Sequence, residues 1–281
     1  MSRNQAENFG WWQQNPMTYD WERTLALEPL TLDWFREIDR RFLESAYYAK
    51  TRDGRPFGRF LEPSQVAGKR VLEIGCGMGT HAEILVRAGA RLTAIDLTQR
   101  ATEATQARLD LCGLQASICR TDAERLPFRD GAFDFVWTWG VIHHSSHPER
   151  CLGEIERVLR PGGRLMLMVY HRRSLVYYLH CGLIRGVLLG RLRKQRLREI
   201  YEASTDGRYA AVYSRPELRN LLAEGFSSIR QTIVGLKAEL LPIPRSSLKR
   251  RLERNTPDRL AAAVLGRWGS MVVVEAERRM S

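Results

Sequence analysis

The chain has 281 residues, 44% of them hydrophobic and 27% charged, which suits one core of ordinary size plus accessory segments and excludes wholesale disorder. No uncharged apolar run of about 18 residues occurs and no basic-then-apolar leader opens the chain, so neither a membrane-spanning helix nor a secretory signal is expected. Cys76, Cys112, Cys119, Cys151 and Cys181 are odd in number and form no CxxC pair, which disfavours a disulfide framework or zinc site and fits a reducing cytoplasm, while the net charge of +12 falls wholly in residues 171–281, with 22 Lys+Arg against 10 Asp+Glu.

Residues 1–65 read as a helical cap or lid rich in aromatics. Trp11, Trp12, Trp21 and Trp34 fall in the first 34 residues, and Leu32, Phe35, Ile38, Phe42 and Leu43 recur on one helical face. Trp12, Tyr19 and Trp21 are candidates for a lid over a site. The polar stretch from Arg52 to Pro56 reads as a loop. From residue 66 onward the pattern alternates strand and helix. Strands are expected at 70–74, 91–95, 116–119, 133–139 and 164–170, with helices at 80–88, 99–112 and 148–159, and a turn at 160–163. Strands apolar on both faces that alternate with helices indicate a parallel sheet covered on both sides.

Residues 171–213 break the alternation and read as a helical, basic insertion: an apolar helix over 175–189, then the run RLRKQRLRE. Gly182, Gly186 and Gly190 at four-residue spacing permit a close approach by a helix or ligand. A helix at 216–223 and final strands at 226–236 and 270–276 complete the sheet, with a basic helical stretch between those two strands. The basic half reads either as a solvated face or as one that meets an anionic membrane or other polyanion.

The sharpest motif is VLEIGCGMGT. A strand ends at Ile74, and Gly75, Gly77 and Gly79 turn the chain into a helix. Glycines there tolerate positive φ and let a ligand approach the backbone, beside the free N–H groups of a helix start. The GxGxG spacing disfavours a pyrophosphate-binding dinucleotide site, and no P-loop lysine is present. Asp96 closes the second strand, where a carboxylate can accept both hydroxyls of a ribose. Asp122 follows the third, where it can accept from an adenine amine.

With these elements in order, VLEIGCGMG, Asp96, TDAERLPF, FDFVWTWGVIHH and RVLRPGGRL, the sequence resembles the class I S-adenosylmethionine-dependent methyltransferases. It is most similar to the type 11 group of ubiquinone, menaquinone and other small-molecule methylases. The resemblance covers about residues 69–170. It implies an α/β, Rossmann-like seven-stranded sheet of order 3-2-1-4-5-7-6. It also implies S-adenosylmethionine as cofactor, held by Glu73, Gly75, Cys76, Gly77, Gly79, Asp96, Leu97, Asp122, Ala123, Trp139 and Gly140.

The acceptor side is expected after strand four, in WGVIHHSSHP. His143 or His144 is placed to deprotonate a hydroxyl, phenol or ammonium. No metal is expected at His143, His144 and His147, because no carboxylate or cysteine stands at ligand spacing. Some sugar O-methylases that the chain resembles carry an acid at the end of strand five; here that position reads Met168-Val169-Tyr170-His171. The expected function is methyl transfer to a small-molecule or lipid-like acceptor. The alternatives are an RNA or protein methyltransferase working through the basic half, or a non-catalytic scaffold that binds the cofactor.

Overall fold

The computed structural model describes residues 3–19, 25–50, 55–207, 209–243 and 246–280. Seven strands form one sheet of order β3-β2-β1-β4-β5-β7-β6, the order that the resemblance implies. The strands are β1 Arg70–Ile74, β2 Arg91–Asp96, β3 Ser117–Arg120, β4 Phe133–Trp139, β5 Leu159–Tyr170, β6 Phe226–Val234 and β7 Met271–Arg278. The first five are parallel, and β7 runs antiparallel between β5 and β6.

Side chains alternate between the two sheet faces, and the core divides accordingly. Val71, Phe135, Trp137, Met166 and Met168 pack into one apolar cluster. Leu72, Ile74, Val136, Leu165, Leu167 and Val169 pack into the other. Helices α3 Thr80–Arg87, α4 Gln99–Leu111, α5 Pro148–Val158, α7 Arg215–Leu222 and α9 Asp258–Trp268 flank the strands.

Three local details depart from the sequence expectations. Residues 160–163 lie within β5, whose pairing with β4 steps from Leu159↔Phe133 to Arg164↔Phe135; the expected turn is absorbed as an irregularity in the strand. In helix α2, Leu32–Ser45, Trp34, Phe35, Ile38 and Phe42 are buried while Leu32 is exposed, because Leu32 sits in the first turn, just past the Thr31 cap, and Trp34 takes its place on the packed face. The apolar helix of the insertion, Val176–Leu188, is wound as a π-helix, a form rare at this length. Its glycines serve packing: a Cβ on Gly186 would lie 2.8 Å from Leu192, and one on Gly182 would touch Leu197, which opens α6 Leu197–Glu202.

The N-terminal segment is bound into the fold. Phe42, Tyr47, Tyr48, Phe57 and Phe60 join the core cluster that contains β1, β4 and β5. Ahead of them, α1 Arg3–Gln14 crosses the C-terminal ends of the parallel strands, tied by Gln5 to Ser146 and by Asn8 to the carbonyl of His144 and the amide of Tyr209.

Candidate active site

A cavity of about 1590 Å³ opens at the C-terminal ends of the parallel strands. This exceeds the roughly 300–1,000 Å³ typical of a pocket for one small ligand, so there is room for two. Of the residues expected at the cofactor, Gly75, Cys76, Gly77, Asp96, Leu97, Asp122, Ala123, Trp139 and Gly140 line it; Glu73 and Gly79 lie behind its wall.

The glycine turn follows β1, with Gly75 at φ 81° and Gly77 at φ 53°. Their reasons differ. A Cβ on Gly75 would lie 2.1 Å from Val141 Cγ2, whereas a Cβ on Gly77 would meet nothing within 4 Å. Gly75 is thus required by internal packing, and Gly77 presents bare backbone to open space. Below the turn lies a buried ion network that the sequence did not reveal. Arg108, 1% exposed, donates to Glu83 at 2.8 Å and to Asp39 of α2, and Thr80 donates to Asp39 at 2.8 Å. Arg36 adds two bonds to Glu83, at 3.1 and 3.0 Å. Burial works to raise the Glu83 carboxyl, yet its hydrogen bonds from Arg36, Arg87 and Arg108 hold it at about 2.

Asp96 accepts from Gly77 N at 3.2 Å and from Thr98 N and Oγ1, both at 2.9 Å. Glu73 is 1% exposed, and neither carboxylate oxygen has a partner among the described residues. Burial, then the charge of Asp96, pushes its carboxyl up to about 8. Asp122 accepts from Glu124 N at 3.0 Å and from the Gln5 side-chain amide at 3.2 and 3.4 Å. Helix α1 therefore already meets the carboxylate expected to read an adenine amine. The sequence offered no signal for this contact, which joins residues 117 positions apart.

The two histidines of the Ile142–His144 turn part company. His143 is fully buried, does not line the cavity, and has neither ring nitrogen partnered among the described residues; its ring sits 4.0 Å from that of Tyr170. Burial pushes its titration well below the usual range. His144 lines the cavity. Its Nδ1 lies 2.9 Å from Tyr209 O and Trp12 packs edge-on against it at 5.0 Å. Burial lowers it to about 4, so it is neutral near pH 7, with Nδ1 donating to the carbonyl and Nε2 left as the lone-pair atom. His147 pairs with Glu149 at 3.2 Å on the surface. Among the described residues no group of three or more His, Cys, Asp or Glu side chains could hold a metal.

Beyond Trp139 and Gly140 the cavity is walled by Tyr19, Phe42, Tyr48, His81, Tyr170 and Tyr201 and by the buried Glu239. His81 was not singled out from the sequence; it accepts from Trp137 Nε1 at 3.2 Å, and burial holds it neutral at about 3. Trp12 and Tyr19 of the proposed lid line the cavity, Trp11 does not, and Trp21 lies outside the described residues.

Residues 72–167 match the family described as "Methyltransferase domain". Over 104 residues the chain is 43% identical to a phthiotriol/phenolphthiotriol dimycocerosates methyltransferase of Mycobacterium ulcerans, covering 36% of this chain and 38% of that one. It is 27% identical over 174 residues to a ubiquinone biosynthesis O-methyltransferase of Ralstonia nicotianae, covering 60% of each. The chain carries a class I methyltransferase domain of the type 11 group. S-adenosylmethionine is the cofactor that this domain implies. The matches span less than two thirds of the length of either relative. The methyltransferase fold extends further than the sequence match. A chain from a complex of a methyltransferase and its activator from Haloferax volcanii superposes with TM-score 0.57 at 17% identity, covering 88% of this chain and 93% of that one.

Proposed function

We propose that the protein transfers the methyl group of S-adenosylmethionine to a lipid-like small molecule. The observation that carries this reading is the single cavity that runs from the glycine turn, past Asp96 and Asp122, into an aromatic chamber and out between the π-helix and α8 Ser247–Asn255. The residues fit the cofactor. The bare backbone at Gly77 would meet it, Asp96 would accept from the ribose hydroxyls, and Asp122 would accept from the adenine amine. An ionised carboxylate offers about four acceptor positions, so Asp122 can serve Gln5 and a ligand together.

When bound, S-adenosylmethionine supplies a methyl group already activated on a cationic sulfur. What remains for the chain is to hold the acceptor in line and keep water out. The rings of Tyr48, Trp139, Tyr170 and Tyr201 form aromatic walls for that purpose, and His144 offers a neutral hydrogen-bonding nitrogen. His143, sealed behind Tyr170, supports the turn.

The far mouth of the cavity supports the lipid-like class. Leu189 and Ile243 line it and are exposed, and the two flanking helices expose further apolar residues, Leu183, Val187 and Leu188 on the π-helix and Leu248 and Leu252 on α8. Arg191, Arg193 and Lys194, just after the π-helix, and Arg251 and Arg254 on α8 are exposed as well. Apolar side chains framed by cations are the pattern of a surface that rests on an anionic bilayer. No helix among the described residues is long and apolar enough to cross a membrane.

Two experiments test these readings. Calorimetry should show binding of S-adenosylmethionine, and methyl-labelled cofactor supplied with a lipid extract should yield a labelled apolar product; absence of cofactor binding overturns the assignment. Flotation with phosphatidylglycerol vesicles should recover the protein at low salt and lose it at high salt or in Leu188→Glu/Leu189→Glu. Equal recovery of that variant removes the rim from the argument.

A further inference from the structure

Glu239 is a buried acid that the reading above leaves unused. It lies in the short turn Lys237–Leu240 after β6, is 6% exposed, and lines the cavity. Three donors orient its carboxylate. Oε1 accepts from Leu236 N at 2.6 Å and Ser270 Oγ at 2.7 Å, and Oε2 accepts from Ser270 N at 2.9 Å. Each carboxylate oxygen has two lone pairs, so these bonds leave Oε2 one acceptor position open, on a residue that lines the cavity.

The sheet carries Glu239 to the reacting edge. Ser270 leads into β7, and Met271 pairs with Tyr170 at the end of β5, next to the end of β4. Tyr47, Tyr48, Tyr170 and Tyr201 all stand close enough to feel the charge of Glu239. The neighbouring cations are engaged elsewhere: Lys237 with Asp258 at 2.6 Å and the Thr256 carbonyl at 2.7 Å, and Lys249 with the Ile243 carbonyl at 3.3 Å. His180 of the facing π-helix is held low by burial, and its Nε2 has no partner among the described residues. A neutral hydroxyl enters such a chamber without the cost of burying a charge.

Resting on the methyl-transfer reading, we propose that Glu239 takes the proton of an alcohol or phenol seated in the tyrosine chamber, so that the acceptor atom is oxygen. The O–H bond breaks and its proton passes to Glu239 Oε2. The oxygen's electron pair forms the new O–CH₃ bond as methyl leaves the sulfonium donor, whose sulfur keeps the pair of the broken bond and becomes neutral. Burial, opposed by the three hydrogen bonds, sets the Glu239 carboxyl at about 7, near the working pH, whereas His144 at about 4 is the weaker base.

The test uses the full chain with glutamate labelled by carbon-13 at the carboxyl. One carboxyl resonance should titrate near pH 7 and vanish in Glu239→Gln. With dodecylphenol and methyl-tritiated cofactor, kcat/KM of the wild type should rise through that midpoint. Glu239→Gln should lose the limb and about 10²–10⁴ of the rate at unchanged cofactor affinity. Ser270→Ala removes one donor to the anion and leaves the carboxylate in place. It should move the resonance and the limb together to higher pH. A limb that survives Glu239→Gln, a midpoint that Ser270→Ala leaves in place, or cofactor binding without transfer to dodecylphenol or dodecanol overturns the proposal. Failure to bind the cofactor overturns the methyl-transfer reading beneath it.

Discussion

Alanine at Gly75 and alanine at Gly77 should fail in different ways. Both glycines adopt positive φ, 81° and 53°, where an L-residue costs about 1–2 kcal/mol. At Gly75 the added Cβ would also stand 2.1 Å from Val141 Cγ2, an overlap that forces a shift of β1 or of the loop after β4. Overpacking of this kind costs about 1–3 kcal/mol more. Gly75→Ala is therefore expected to lose about 2–5 kcal/mol. At roughly 2–4 °C per kcal/mol for a chain of this order of size, the melting temperature should fall by about 4–20 °C. Gly77→Ala meets no atom within 4 Å, so only the backbone cost of about 1–2 kcal/mol applies. Its methyl occupies space assigned to the cofactor, and affinity should fall at least about tenfold, or 1.4 kcal/mol. Thermal melting and calorimetry with S-adenosylmethionine separate the two effects. Gly77→Ala with unchanged affinity would refute the idea that the cofactor meets this backbone, and an undiminished melting temperature for Gly75→Ala would refute the packing argument.

Arg108→Met should destabilise the chain by about 3 kcal/mol, because removing one partner of a buried pair leaves carboxylates without their counter-charge; Arg36 and Arg87 still serve Glu83, which keeps the loss at the low end of the range, and a melting temperature within about 2 °C of wild type would contradict this. Glu83 titrates at about 2 when folded, below its ordinary 4.5, so its contribution is complete above pH 4.5 and is lost as pH falls toward 2. Acid unfolding followed by circular dichroism should show a shallower slope in that window for Glu83→Gln, and an identical slope speaks against the linkage. Asp96→Ala should weaken S-adenosylmethionine binding by about 3 kcal/mol, roughly 150-fold, through loss of hydrogen bonds to a charged acceptor, and calorimetry at pH 7 decides it.

The order of strands and helices, the glycine turn and the two strand-end acids were legible in the sequence because each depends on neighbours in the chain. Alternation of period two, helical spacing of apolar residues and glycines at positive φ are local properties. The residues found at the cavity from 75 to 140 follow from them, since ligands of such sheets meet the ends of the parallel strands. What lies behind that wall did not follow. Glu73 and Gly79 belong to the motif, yet the turn folds them away from the cavity, where Gly79 instead admits the Arg108 side chain.

Tertiary structure alone decided between His143 and His144. Adjacent residues of one helical turn point in different directions, and the sequence does not say which direction is the cavity; packing against Tyr170 sealed the first, and Tyr209 and Trp12 fixed the second at the wall. The contact of Gln5 with Asp122, the pairing of Arg108 with Asp39, and the burial of Glu239 beside Ser270 join positions 117, 69 and 31 residues apart. A lone Gln, Arg or Glu in a helix or turn reads as solvated surface, because its own neighbours give no sign of what will cover it. Each gains its role only when the folded chain brings a distant partner within hydrogen-bond reach and removes the water that would otherwise have served it.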